Sequence, residues 1–171
     1  MPINEAFQSK NNFFSRFKSQ YALQGISNNF LNKLEGRKPT ILSLINQDDL
    51  SKLYFDFFAK AEIQKEGNGK IVRKSLGSFF TKLVHTFKPN EYCALDNPIK
   101  NLFDLKNESF YISFIVISQA YKKWIATNPQ ELSILKIELR KRDKNNTLQL
   151  DKLSDLKLLD LVFWTKANPP K

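Results

Sequence analysis

Apolar residues recur every three to four positions along most of this chain, the spacing that sets them on one face of an α-helix. Phe14, Phe17 and Tyr21 follow it in a first helix predicted over residues 5–24 and closed by Gly25. Ser27 is placed to cap a second helix carrying Phe30, Leu31 and Leu34, and Gly36 to end it. Arg37-Lys38-Pro39-Thr40 reads as a turn with both basic groups exposed, and residues 41–46 as a short strand or a helical turn. Asp48 is the expected cap of a helix running through Leu50, Leu53, Tyr54, Phe57, Phe58 and Ala61, which Gly67-Asn68-Gly69 then breaks.

A further helix is predicted from about Ile71 to Phe87, stopped by Pro89, with Leu76, Phe80, Leu83, Val84 and Phe87 inward. Asp96 then caps a short helix holding Pro98 in its first turn. Residues 108–127 are apolar over so wide an arc that they should form a central helix. Asn128-Pro129-Gln130-Glu131 opens the next one, which ends in Arg140-Lys141-Arg142-Asp143-Lys144. Ser154 caps a last helix through Leu156, Leu159, Phe163 and Trp164, and residues 167–171 form a loose tail. No stretch alternates with period two, and no internal repeat or linker appears. The expected fold is therefore all-α, a single compact orthogonal bundle of about seven to eight helices in one domain over residues 1–171.

Composition sharpens this. A hydrophobic fraction of 42% with 15 Phe supplies ample core for 171 residues, which argues against disorder. Cys93 and His85 are the only residues of their kinds, so neither an intrachain disulfide nor a Cys/His zinc site is available. A reduced, cytoplasmic setting is expected, with no cofactor and no metal. MPINEAFQSK lacks a basic region leading into an apolar run, so no signal peptide is expected, and Phe110–Tyr121 is too short to span a bilayer.

Charge directs the functional expectation. Lys and Arg number 27 against 17 acidic residues, a formal net charge of +10, which is the balance of a protein that meets polyanions. Lys65, Lys70, Arg73 and Lys74 flank the glycine turn, Lys88 ends a helix, and Lys136, Arg140, Lys141, Arg142 and Lys144 cluster near the end of another. These are the candidate phosphate contacts, although cations at a helix C-terminus are also favoured by its dipole. The partners expected are nucleic acid, DNA foremost, or an acidic protein, and no membrane. A contiguous exposed patch at Phe7, Tyr21, Tyr54, Tyr92 or Trp124 would favour the protein partner, in a module of the bacterial defence or toxin–antitoxin kind.

One stretch gathers the unusual residues. Thr81-Lys82-Leu83-Val84-His85-Thr86-Phe87-Lys88-Pro89, then Tyr92 and Asp96-Asn97-Pro98-Ile99, resembles a pattern found in small helical bacterial proteins that look like distant relatives of the helix-hairpin-helix DNA glycosylases. Leu156–Lys166 is similar to the final helix of such proteins. The resemblance implies that Asp96 stands at the position of the catalytic Asp and Lys82 at that of the catalytic Lys, with His85 one turn away. A Lys amine attacks a sugar C1′ when burial lowers its pKa, and a carboxylate then stabilises the cationic transition state. The chain departs from the family at Leu76-Gly77-Ser78-Phe79, which keeps one glycine of the hairpin, and at Cys93-Ala94-Leu95, where a Pro-containing approach is common. The leading expectation is a DNA-associated domain without established catalysis, with a glycosylase or abasic lyase as an alternative.

Overall fold

The computed structural model describes every residue except 1, 2, 10, 22, 24, 65–68 and 169–171. The fold class is all-α, as the periodicity predicts. The chain forms two compact units, residues 1–83 and 84–171.

The first unit begins with α1 (Ile3–Ser9) and α2 (Phe13–Gln20), where a single helix was expected. Asn12 separates them at φ 65°, a left-handed backbone that Asn accepts more readily than most residues. α3 (Asn28–Glu35) starts on Ser27 as predicted, the Ser27 hydroxyl accepting from the Phe30 N–H. Residues 38–46 are α4 (Lys38–Asn46), with Pro39 in its first turn, not a turn followed by a strand. Lys38 is consequently buried rather than exposed. Its ammonium lies 2.5 Å from Glu35 and over the rings of Phe7 and Phe13, so ion pairing and two aromatic faces offset its desolvation. The other Glu35 oxygen accepts from the Phe14 N–H at 2.7 Å, which supplies α2 with the cap that Asn12 does not give.

α5 (Leu50–Phe57) is capped by Asp49 and not Asp48, whose own φ of 60° carries the chain through the preceding turn. After α5 the helical expectation fails. Ala61–Gln64 and Ile71–Lys74 are strands β1 and β2, paired antiparallel with Ala61 opposite Lys74 and Ile63 opposite Val72. Four residues are too few for alternation to stand out in the sequence, yet β1 obeys it, burying Ala61 and Ile63 and exposing Glu62. The base of this ribbon is closed where Leu76 N–H donates to Phe58 O, and β1 packs on α3. The core of the unit is aromatic: Phe79, on α6 (Gly77–Phe87), lies 5.0 Å from Phe17, 5.6 Å from Phe58 and 6.0 Å from Phe14 between ring centroids.

In the second unit α7 (Asn97–Leu102) and α8 (Phe110–Thr127) both pack on α10 (Asp155–Ala167). Tyr121 of α8 stacks on Phe163 at 5.3 Å, with Phe103 against both. Ser154 caps α10 as predicted. α9 (Pro129–Arg142) follows α8 directly through Asn128, whose side chain donates back to Trp124 O instead of capping α9. A 3-10 turn at Leu150–Lys152 precedes α10. Lys100 is buried on α7, where its ammonium donates to the carbonyls of Lys106 and Glu108 and rests on the Phe110 ring, so it ties down the loop before α8. Ala167 ends α10, and most of the expected tail lies outside the described residues. Among the described residues no helix is long and apolar enough to cross a membrane.

Candidate functional site

A groove of about 490 Å³ opens in the first unit between the end of α3, the end of α5 and the start of β1. Its floor is apolar, made by buried Phe30, Leu34 and Ala61. Phe57, the last residue of α5, is a half-buried wall, and its ring is braced by Phe58 at 6.4 Å. Lys33, Arg37 and Lys60 stand around it, each exposed, together with Asn32, Asp56 and Glu62. Lys33 and Arg37 are one helical turn apart across Gly36, and the turn after α5 brings in Lys60. None of these three cations makes an ion pair among the described residues.

The groove ends at the ribbon. Glu62 accepts two hydrogen bonds from the Arg73 guanidinium, at 3.0 and 3.1 Å, across the β1–β2 pair. That leaves three cations facing one carboxylate, Asp56, that is not ion-paired among the described residues. β2 has no residue buried on either face, and Ile71 is 67% exposed. Lys70, Arg73 and Lys74 are exposed beside it. Lys65 lies outside the described residues, as do the first two residues of the Gly67-Asn68-Gly69 turn.

The cations expected in the second unit are mostly engaged by carboxylates. Lys88 reaches Glu91 at 3.5 Å, Lys136 reaches Asp155 at 2.6 Å, Arg140 reaches Asp151 at 2.6 Å and Lys141 reaches Glu138 at 2.7 Å. Arg142 and Lys144 are exposed without an ion pair among the described residues. Exposed pairs of this kind contribute only about 0–1 kcal/mol, but they lower the field that a polyanion meets.

Lys82 belongs to the first unit, half-buried, its ammonium 5.8 Å from the centroid of the Tyr21 ring. His85 and Asp96 belong to the second. Asp96 occupies the N-cap position of α7 without the expected cap hydrogen bond. Pro98 stands at the second helical position, where its missing N–H costs nothing. His85 is buried, and its Nδ1–H donates to the Tyr92 carbonyl at 2.7 Å. Burial, reinforced by the nearby Lys157 ammonium, lowers its pKa against the opposing effect of the Tyr92 bond.

That shift has a testable sign. The native state holds His85 neutral while the unfolded chain protonates it near pH 6.5, so its contribution to stability is lost as the pH falls below that value. The urea midpoint should fall between pH 7.5 and 5.5, and His85→Asn, which keeps a donor for Tyr92 O, should flatten the fall.

Sequence reasoning did not anticipate a buried polar group around Cys93. Its thiol is fully buried, takes a hydrogen bond from the Ser118 hydroxyl at 3.2 Å and has its pKa pushed up to about 12 by burial. A thiol so held is not a nucleophile at neutral pH. Asp160, buried on α10, accepts from the Lys157 ammonium at 2.7 Å, and it raises the Tyr121 pKa further above the value to which burial already lifts it. Among the described residues no three His, Cys, Asp or Glu side chains are grouped to hold a metal ion. Phe7 and Tyr54 are buried, so the aromatic patch that would signal a protein partner does not form at those positions.

No protein family matches the chain, and neither a curated protein nor a solved structure matches it.

Proposed function

We propose that this chain binds nucleic acid through phosphate contacts, with the groove of Lys33, Arg37 and Lys60 and the adjoining Lys70 and Lys74 of the ribbon as its contact surface. The observation that carries the proposal is the convergence on one groove of three cations that are not engaged by carboxylates, in a chain of net charge +10. A surface that tracks phosphates needs cations able to exchange their counterions for the ligand, and an ion-paired Lys must first give up its partner. Arg142 and Lys144 add sequence-independent attraction. Nothing in this proposal requires a catalytic step by Lys82 or Asp96.

Fluorescence anisotropy with a labelled oligonucleotide at about 50 and 200 mM salt is the direct test. With three to six phosphates contacted, the higher salt should weaken binding roughly twentyfold to a thousandfold. Lys33→Gln/Arg37→Gln/Lys60→Gln should bind more weakly at the lower salt and flatten the salt dependence by about two units of slope. Circular dichroism confirms that the variant is folded. No binding by the wild-type chain at about 50 mM salt overturns the proposal.

A further inference from the structure

We infer that the ligand of the α3–α5–β1 groove is single-stranded, with one nucleobase stacked on Phe57 while its flanking phosphates lie against Lys33, Arg37 and Lys60. The inference rests on the proposed nucleic-acid binding and names the ligand class of that same groove. Phosphate contacts alone need only cations on an exposed surface. This groove adds an aromatic wall, an apolar floor of Phe30, Leu34 and Ala61, and a carboxamide at Asn32.

Those additions match a base and not a backbone. A duplex stacks its base faces on one another and offers a protein only phosphates and groove edges. An unpaired base has two apolar faces and a polar edge, the complement of a ring, an apolar floor and an amide that both donates and accepts. Stacking platforms set between cations are the common means by which single strands are held without sequence preference. At about 490 Å³ the groove falls within the range of about 300–1,000 Å³ typical of sites that enclose small ligands. Asp56 at the rim discourages a second phosphate at that point and leaves a preferred path past the three cations.

Anisotropy with a labelled 15-nucleotide DNA strand and with the same strand in duplex, at about 50 mM salt, separates the ligand classes. The single strand should bind more tightly. Phe57→Leu, which keeps apolar volume but removes the ring, should weaken single-strand binding by about fivefold to a hundredfold and leave the salt slope unchanged, since no phosphate contact is lost. Phe57→Tyr keeps the ring and should retain affinity, which separates loss of stacking from damage to the groove. Polyglutamate, charged but without bases, should compete poorly. Duplex bound as tightly as the single strand with no effect of Phe57→Leu, or polyglutamate competing as well as the oligonucleotide, overturns this inference alone. Absence of binding to both strands and duplex overturns the nucleic-acid proposal beneath it.

Discussion

Replacing Phe79 with alanine is expected to destabilise the chain by about 4 kcal/mol, the range seen when a large buried aromatic is truncated. The side chain is 1% exposed and its ring meets three others, those of Phe14 and Phe17 on α2 and of Phe58 at the end of α5. Truncation therefore removes transfer energy and aromatic contacts together, and opens a space that rigid phenyl neighbours fill poorly. For a chain of this size that corresponds to a fall of roughly 8–16 °C in Tm, readable in a thermal scan. Phe79→Leu should cost much less, because it restores most of the volume. Phe55→Ala is the control: that side chain is 59% exposed, so the change should stay below about 1 kcal/mol.

Lys157→Met is expected to cost about 3 kcal/mol at neutral pH, measured by urea unfolding. Asp160 is 4% exposed, and the Lys157 ammonium 2.7 Å away is the cation that offsets its burial. Removing the cation weakens the compensation of a buried carboxylate beside Tyr121, whose ionisation Asp160 already disfavours. The lower part of the usual range applies because the Lys157 side chain is 27% exposed, so water still screens the pair. Adding Asp160→Leu to Lys157→Met should recover most of the loss, since an apolar pair removes the buried charge. If the double variant is no more stable than the single, the stabilisation at this position is packing and not charge compensation.

These two sites differ in how far the chain announces them. The helical period around Phe79 is plain and marks its neighbour Phe80 as inward, whereas the burial of Phe79 itself is decided by the rings of Phe14, Phe17 and Phe58 that meet it. Asp160 sits inside Leu158-Leu159-Asp160-Leu161-Val162, where only the neighbouring fold decides that the carboxylate turns inward. The same division runs through the rest of the chain. Ser27 and Ser154 were legible as caps because capping is settled within four residues. Asn128 was not, since a carbonyl of the preceding helix takes its side chain, and Asp96 holds the cap position without the cap hydrogen bond. The ribbon escaped because each strand is four residues long and β2 buries nothing.

The groove was the least legible feature. Lys33 and Arg37 show a one-turn spacing common to solvated helix ends, and Lys60 is distant in sequence. Lys38, adjacent to Arg37 and of the same charge, is buried on Glu35, so neither identity nor local sequence distinguishes a ligand-facing cation from a structural one here. What separates them is whether rings from distant elements, here Phe7 of α1 and Phe13 of α2, arrive over the ammonium, and that is a property of tertiary packing.

β2 has a further consequence for how copies of this chain behave together. A strand with no buried face and no partner beyond β1 among the described residues presents a row of open backbone groups, the template on which chains add to one another as fibrils. Exposed Ile71 would favour such growth. Lys70, Arg73 and Lys74 oppose it, because a second β2 laid alongside would bring like charges within the interstrand spacing of about 4.8 Å. The protection is electrostatic and therefore removable: a polyanion that neutralises these side chains without covering Ile71 lifts the repulsion. Colloidal stability and occupancy of the basic surface are thus coupled through one strand.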